Sequence, residues 1–419
     1  MKLWNVDTLE EARNKIWEKF NDVEIKTEEI ILDGNSDPAL YSGRIIAEDI
    51  FSNENIPGFR RSIVDGYAVK AQDTFGAGDA IPVFLKYIDE VEMGRAPGFS
   101  IKSGQCAYVP TGGMLPDGAD AVVMIEYTEA ISSSGEKESI AVYEPIAPGF
   151  GMAEIGEDVL KGDALLKKGT MIRPQEAGVM TAAGLKKIKI FSPLRLAIIS
   201  TGDELVPSHK IPAPGEVRDI NTTTLRSLSA LKGYKVVSSS VFPDREDLLE
   251  AALREALPIC DVVVISGGSS KGEKDMTASL IDRVSGSGIF THGLALKPGK
   301  PSILGWDIES QTLLAGLPGH PVAAIMVFEL LLGWLADKIF QRPPPFLIPA
   351  RITSNVPGDP GRAVCQPVKL YFKDNEYFAE PVFGKSGMIT TLTRADGFIF
   401  LDLNSEGLQK DKQVFVRLF

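Results

Sequence analysis

Hydrophobic residues recur at helical spacing near the start of the chain, at Leu9, Ala12, Ile16 and Phe20. This spacing predicts a helix over residues 7–20, which Asp7 or Thr8 can cap. A second helix is predicted over residues 38–50, because Pro38 is a residue that the first turn of a helix favours.

From about residue 51 to residue 190, hydrophobic and polar residues alternate in short runs between frequent glycines and prolines. This pattern predicts a β-rich region with many turns. From residue 194, apolar strands alternate with helices; the strand candidates are "LRLAIIST", "KVVSSSVF", "CDVVVIS" and "TLLAGLP". Such alternation predicts a mostly parallel sheet covered on both faces. The segment "RPPP" at 342–345 is a stiff linker, and residues 346–419 return to short strands.

Composition narrows the class of protein. The 419 residues carry a formal net charge of −12, which argues against nucleic-acid and anionic-membrane partners because both need a basic face. Cys106, Cys260 and Cys365 stand far apart, which argues against zinc and iron–sulfur sites. The longest apolar stretch carries Glu329 and predicts a buried helix rather than a membrane span. With no apolar signal segment, the sequence predicts a cytoplasmic protein.

The segment "VISGGSSKGEKDMT" carries the strongest signal for a binding site. A buried strand ends at Ser266, the loop from Gly267 to Gly272 follows, and a helix then begins. Glycines, free amides and a helix N-terminus at the carboxyl edge of a parallel sheet can together hold a phosphate. Asp275 lies at the helix start, where it either caps the helix or lies beside a bound phosphate as a ligand for Mg²⁺.

Three further motifs are candidates for the site. "STGDEL" ends a strand and is either a turn before a capped helix or a binding segment. As a binding segment it places the amides of Thr201 and Gly202 and the carboxylates of Asp203 and Glu204 at the same sheet edge. "LKPGKP" places Lys297 and Lys300 on either side of a turn, where they are either solvated or neutralise an anionic substrate. "GLPGHP" precedes a helix, and its His320 is either a general base or a helix-start residue without a catalytic role.

Seven strings in register resemble one known family. They are "RSIVDGYAV", "PTGGMLPDGADAVVMIEY", "GEDVLKGD", "IISTGDELV", "SGGSSKGEKDMT", "LALKPGKP" and "GLPGHPVAA". In this order, and over essentially the whole chain, they resemble the molybdopterin molybdenumtransferases of the MoeA and gephyrin E-domain family.

The resemblance implies an α/β multidomain fold. Residues 1–193 would form an N-terminal region, a helical part with an inserted elongated β-rich domain at about 51–150. Residues 194–341 would form a central domain that resembles the molybdopterin-binding fold, with a mostly parallel sheet. Residues 346–419 would form a C-terminal β-barrel-like domain. Members of the family resemble one another in forming homodimers, with the active site between the α/β domain of one subunit and the N-terminal part of the other.

The resemblance also implies a reaction. A molybdenum insertase takes adenylylated molybdopterin and molybdate and gives molybdenum cofactor and AMP, assisted by Mg²⁺ at Asp244 and Asp275. The residues that match catalytic positions are Asp65, Thr111, Asp158, Glu204, Asp244 and Asp275. Those assigned to binding of the pterin nucleotide and the oxyanion are Thr201, Gly202, Gly267, Gly268, Ser270, Lys297, Lys300, Pro318, Pro321 and Ser386. Other proteins of molybdenum cofactor biosynthesis are the further partners that this implies.

Several positions depart from the family pattern. Glu154 and Ile155 stand where arginines are frequent, and Pro367 stands where a further arginine is common. Ala323 replaces a serine, and His320 replaces the usual asparagine. Fewer cations near an anion site leave two alternatives to a molybdenum insertase. One is a non-catalytic pterin-nucleotide-binding or scaffold protein of the same fold, and the other is an insertase that prefers tungstate.

Overall fold

Two compact units make up the part of the chain that the structure describes. The computed structural model describes residues 6–133, 136–267 and 274–419, without the side chains of residues 133, 136, 137, 274 and 275. One unit runs from Glu29 to Ile190, and the other is formed by the chain before and after it. Each unit is described by itself below.

Helix α1 (Leu9–Phe20) forms where the hydrophobic spacing predicts it. It buries Ala12, Ile16 and Phe20 and leaves its acidic residues exposed. Thr8 rather than Asp7 caps it: the Thr8 hydroxyl accepts from the Glu11 amide, and the Glu11 carboxylate accepts from the Thr8 amide.

The unit from Glu29 to Ile190 is built mainly of short strands, as the alternating pattern predicts. Its main sheet has six strands in the order β7-β4-β6-β5-β9-β8, and Tyr67, Cys106 and Ile140 lie in the core of that sheet. The elements are β1 (Thr27–Ile31), β2 (Ile50–Phe51), β3 (Arg61–Ser62), β4 (Gly66–Val69), β5 (Val83–Glu90), β6 (Gln105–Val109), β7 (Ala121–Met124), β8 (Thr128–Ser133), β9 (Glu136–Val142), β10 (Met152–Ala153), β11 (Ala164–Leu166), α2 (Pro174–Ala182) and β12 (Lys187–Phe191).

The predicted helix over residues 38–50 is wrong. Only a short 3₁₀ helix (Pro38–Tyr41) forms there, and Ile45 and Ile46 then pair with extended chain. Gly43 has a φ of +82°, a conformation that ends a helix and that glycine adopts at little cost. The β-branched pair that follows it favours extended backbone.

Helix α2 forms where only strands and turns were expected. Pro174 occupies its first turn, a position where the missing amide hydrogen costs nothing. Glu176 accepts from the Arg173 backbone amide at 3.0 Å and from its guanidinium at 2.6 Å, which anchors the first turn.

The α/β part of the second unit confirms the predicted alternation. Its sheet has the order β16-β13-β17-β21-β20-β18; the first four strands are parallel, and the antiparallel edge of β20 and β18 was not expected. The elements are β13 (Leu194–Thr201), β14 (Leu205–Val206), β15 (Val217–Arg218), α3 (Asn221–Lys232), β16 (Tyr234–Phe242), α4 (Glu246–Ala256), β17 (Val262–Gly267), α5 (Lys274–Val284), β18 (Ile289–His292), β19 (Leu296–Lys297), β20 (Ile303–Asp307), β21 (Thr312–Leu317), α6 (Pro321–Val327) and α7 (Trp334–Ile339).

A buried π-helical segment (Phe328–Gly333) joins α6 to α7. Glu329 lies in it with a side chain that is 3% exposed, and it pairs with Lys232 of α3 and Arg417. The stretch is therefore a core helix, as its charge predicts. In the described part of the chain, no helix is both long and apolar enough to cross a membrane.

The last part of the second unit is a closed barrel, as the resemblance implies. Strands β24-β25-β22-β28-β26 pair in that order, and β26 pairs with β24 again to close it. Strand β19 of the α/β part joins β24 through Leu296 and Lys297. The elements are β22 (Leu347–Ile352), β23 (Val356–Pro357), β24 (Ala363–Lys373), β25 (Glu376–Pro381), α8 (Thr390–Thr393), β26 (Gly397–Leu401), β27 (Gly407–Leu408) and β28 (Gln413–Leu418).

Candidate functional site

A cavity of about 470 Å³ lies at the carboxyl ends of the four parallel strands. This is the edge at which open α/β sheets bind ligands. The carboxylates of Glu204, Asp219 and Asp244 line it, together with Arg218 and the backbone of the loops that follow β13, β17 and β21. We call it the acidic cavity.

Glycine backbone shapes the floor of the acidic cavity. Thr201 and Gly267 are paired at the ends of β13 and β17. Gly267 has a φ of +128°, and a Cβ atom there would lie 2.1 Å from the Thr201 carbonyl oxygen. Only glycine fits such a close approach of two backbones. Gly268 and Ser270, which were assigned to substrate binding, lie outside the described residues, as does the side chain of Asp275.

Asp244 is held at the rim of the same cavity. The Thr201 hydroxyl donates to Asp244 Oδ1 at 2.5 Å, and the Asp244 amide donates to Asp203 Oδ1 at 3.1 Å. Asp244 is half-buried. Two residues predicted for the site from distant parts of the sequence are therefore in direct contact, because β13 and β16 are parallel neighbours.

Three residues that the sequence analysis did not assign also line the acidic cavity: Ser200, Asp219 and Asn221. Asn221 is buried; its Nδ2 donates to Ser266 Oγ at 2.9 Å and to the Gly319 carbonyl at 2.8 Å. Its Oδ1 has no hydrogen-bond partner among the residues that the structure describes. Asp219 accepts from the Thr222 amide at 3.1 Å. The string "RDIN" at the start of α3 is the available signal, but polar residues at a helix start are ordinarily caps.

A second cavity, of about 750 Å³, lies between the α/β part and the barrel. Among the described residues, no carboxylate lines it. Its lining includes the cations Lys297, Lys300, Arg362 and Lys385, together with His320 and the buried Cys365. We call it the basic cavity. Pro318 and Ser386 also line it, whereas Pro321 lines the acidic cavity.

The two lysines of "LKPGKP" differ in their surroundings. Lys297 Nζ lies 2.9 Å from Asp359, which also accepts from Arg362 at 2.8 Å. The hydrogen bond from Lys297, with the charge of Arg362 added, lowers the pKa of Asp359. Lys300 is exposed and has no ion-pair partner among the described residues. The two lysines are therefore not equivalent, because Asp359 already neutralises much of the charge of Lys297.

His320 lies where the two cavities meet and lines both of them. Its Nδ1 is 2.7 Å from Ser386 Oγ. The Val322 amide at the start of α6 donates to the Ser386 carbonyl at 3.1 Å. The loop that carries Ser386 is thus fixed to the beginning of α6 by a side-chain contact and a backbone contact.

The remaining predicted residues lie in the unit from Glu29 to Ile190. Asp65 Oδ1 accepts from the Thr111 amide at 2.8 Å and from its hydroxyl at 3.1 Å, so the structure brings these two together. Both are exposed, as is Asp158. The Asp158 amide donates to the Ile56 carbonyl at 3.0 Å, and its carboxylate makes no contact with the other two among the described residues.

The positions that depart from the family pattern leave the basic cavity without two polar groups. Pro367 and Ala323 both line it and are buried, and neither side chain can donate to an anion. Glu154 lies in a turn in which its amide donates to Glu157 Oε2 at 2.7 Å. Within the described side chains, no group of three or more His, Cys, Asp or Glu is arranged to hold a metal ion.

An open α/β sheet with cavities at the carboxyl ends of its strands is the arrangement by which such sheets bind small molecules. Three family models cover the chain in order. "MoeA N-terminal region (domain I and II)" matches residues 8–184, "Probable molybdopterin binding domain" matches 197–337, and "MoeA C-terminal region (domain IV)" matches 349–419. The chain belongs to the MoeA family.

Relatives and solved structures agree with this assignment. The chain is 30% identical to a molybdopterin molybdenumtransferase of Haemophilus influenzae over 98% of both chains. It is 29% identical to that of Bacillus subtilis over 90% of this chain and 87% of the other. A solved molybdopterin biosynthesis MoeA protein of Pyrococcus horikoshii is 35% identical, with a TM-score of 0.79 and 99% of both chains covered. A second MoeA structure from that organism has a TM-score of 0.82 at 29% identity, covering 99% of this chain and 100% of the other.

Proposed function

We propose that this protein is a molybdopterin molybdenumtransferase of molybdenum cofactor biosynthesis. It uses adenylylated molybdopterin and molybdate and gives molybdenum cofactor and AMP. One observation carries the proposal: an acidic cavity suited to a phosphoanhydride and its cation adjoins a basic cavity suited to an oxyanion. The family assignment and the transferases among its relatives support the same reaction.

The acidic cavity suits the phosphoanhydride of the adenylylated pterin. The glycine backbone at the ends of β13 and β17 allows phosphate oxygens a close approach, and the Arg218 guanidinium in the lining can donate hydrogen bonds to them. In the reaction, water cleaves the phosphoanhydride bond and AMP leaves. Donors aimed at the phosphate oxygens stabilise the charge that develops on them. The buried Asn221 fixes the spacing of the β17 and β21 loops through Ser266 and the Gly319 carbonyl.

Magnesium fits this cavity as a cation shared with the substrate. Mg²⁺ usually takes one or two carboxylates and completes its coordination with phosphate oxygens and water. The absence of a three-residue metal cluster among the described side chains is compatible with that mode. Asp244 and Asp275 would hold the ion, which when bound neutralises phosphate charge. The Thr201 hydroxyl orients the Asp244 carboxylate for this role.

The basic cavity suits molybdate. Its lining supplies four permanent cations and the Ser386 hydroxyl without a carboxylate from the described lining residues. In a protein of net charge −12, such a local excess of cations offsets the repulsion that an anion meets elsewhere on the surface. There the two dithiolene sulfurs of the pterin bind the metal, and one oxo group of molybdate leaves as water with the two protons of the dithiol.

Several expectations from the sequence remain proposals. They are the catalytic roles of Asp65, Thr111 and Asp158, the homodimer, the cytoplasmic location and domain boundaries near residues 193 and 346. The hydrogen bonds between Thr111 and Asp65 support a joint role for those two residues.

The test is incubation of the protein with adenylylated molybdopterin, Mg²⁺ and molybdate while AMP release is followed. An insertase releases AMP and yields a cofactor that reconstitutes an apo-molybdoenzyme. Tight binding of the pterin nucleotide without AMP release would instead identify a binding protein. Replacing molybdate with tungstate in a parallel reaction compares the two metals directly.

A further inference from the structure

His320 and Ser386 form the contact that separates the two cavities. The imidazole Nδ1 lies 2.7 Å from Ser386 Oγ, and the ring is exposed to both cavities. Gly387 lies against the ring: a Cβ atom there would be 3.8 Å from His320 Cδ2. The ring therefore lies against the loop that carries Ser386.

The charges around His320 differ sharply on its two sides. On the basic side the charged groups are Lys297, Lys300, Arg362 and Lys385. On the acidic side they are Glu204, Asp219, Asp244 and Arg218. A dianion in the basic cavity favours a positive charge on the ring. Anion binding and protonation of His320 are consequently linked, and each promotes the other.

We propose that protonated His320 binds the oxyanion in the basic cavity, and that the protein takes up a proton at this residue when the anion binds. This inference rests on the proposed function, because it assigns molybdate to that cavity. Protonated His320 adds a fifth cation to a lining in which Lys297 and Arg362 both form ion pairs with Asp359.

Protonation also changes what Ser386 can do. When Nδ1 carries no hydrogen it accepts the hydroxyl hydrogen of Ser386, so that hydrogen points at the ring. When the ring is protonated, Nδ1–H donates to Ser386 Oγ instead. The Ser386 hydrogen is then free to donate to an oxyanion. One proton taken from solvent therefore supplies the cavity with a charge and with a hydroxyl donor.

The experiment is calorimetric titration of the full-length protein with molybdate between about pH 6 and about pH 8.5. Imidazole is the side chain whose charge ordinarily changes in this range, whereas molybdate remains a dianion throughout it. We expect about tenfold tighter binding at the low end, the value of one charge-assisted contact. Runs in two buffers of different ionisation enthalpy should show proton uptake on binding.

Two histidine-to-asparagine variants distinguish proton uptake at His320 from proton uptake elsewhere in the protein. The chain has three histidines, so His209→Asn is a matched control that should keep the wild-type pH dependence and proton uptake. His320→Asn can still hydrogen-bond Ser386 but cannot titrate. It should bind molybdate with the weak affinity that the wild type shows at high pH, without proton uptake.

The outcomes distinguish a failure of the role proposed for His320 from a failure of the proposed function. Wild-type binding that is independent of pH, or a pH dependence that persists in His320→Asn, overturns the role of His320 and leaves the proposed function standing. No binding of molybdate at any pH overturns the assignment of the oxyanion to this cavity, and with it both the inference and that part of the proposed function.

Discussion

Lys300 is the member of the lysine pair that is free to meet an anion. Asp359 holds Lys297 at 2.9 Å, whereas Lys300 has no ion-pair partner in the described part of the chain. We expect Lys300→Gln to weaken molybdate binding about tenfold, as the loss of one charge-assisted contact, and Lys297→Gln to weaken it less. Calorimetry measures both. Lys369→Gln, on the exposed side of the barrel, is the control; equal effects of all three changes would contradict the assignment.

The two proposed magnesium ligands, Asp244 of the acidic cavity and Asp275, can be tested by the rate of AMP release. We expect Asp244→Asn and Asp275→Ala each to lower AMP release by about 10²-fold, because each removes a ligand for the cation that offsets phosphate charge. When AMP release is measured against Mg²⁺ concentration, both variants should bind the ion more weakly and need more Mg²⁺ than the wild type to reach half of their maximal rate. Asp247→Asn, which removes an exposed carboxylate paired with Arg245, serves as the control. If Asp244→Asn or Asp275→Ala released AMP near the wild-type rate, that residue would not be a magnesium ligand of the site.

Residues that the sequence assigned to the site on different grounds lie around one cavity. Thr201, Gly202 and Glu204 come from one motif, Gly267 from another and Asp244 from the family resemblance, and all five line the acidic cavity. Asn221 and Asp219 were missed because polar residues before a helix ordinarily serve as caps. Only the spatial approach of the β17 and β21 loops shows that Asn221 spans them.

At the scale of elements, removing a buried, ion-paired carboxylate lowers the free energy of unfolding more than removing an exposed one of the same type. The buried Glu329 carboxylate forms ion pairs with both Lys232 and Arg417. Glu329→Gln leaves two cations without a countercharge, and we expect it to lower the free energy of unfolding by about 3 kcal/mol. Glu376→Gln breaks an exposed pair with Arg351 and should cost about 0–1 kcal/mol. Urea denaturation measures both; a Glu329 variant as stable as the Glu376 variant would contradict this ranking.

Elements were predictable where one periodicity dominated. The apolar runs at β13, β17 and β21 and the spacing in α1 are unambiguous, because buried parallel strands and amphipathic helices differ in both period and length. The segment 38–50 misled because Pro38 does open a helical turn, but Gly43 ends it. The antiparallel strands β18 and β20 were missed because a hydrophobic pattern does not show which strands pair or whether they run antiparallel. Their pairing depends on contacts between separate parts of the chain.

At the scale of the whole molecule, the residues proposed for the active site fall in two units. Asp65 and Thr111 belong to the unit from Glu29 to Ile190, and Asp244 belongs to the other. The family resemblance implies that the N-terminal part of one chain completes the site of a second chain. That arrangement requires a homodimer, which sedimentation should reveal as a species of twice the chain mass of 45.3 kDa. A monomer at all concentrations would exclude a shared site.

Mixing two inactive variants tests the shared site itself. We expect Asp65→Asn and Asp244→Asn to be inactive separately. After subunit exchange, half of the dimers are mixed, and each mixed dimer has one site with both changes and one site with neither. AMP release should therefore return to about one quarter of the wild-type rate, provided that a closed two-fold dimer forms. If each chain instead held a complete site of its own, every site in the mixture would carry one change, and the mixture would remain inactive.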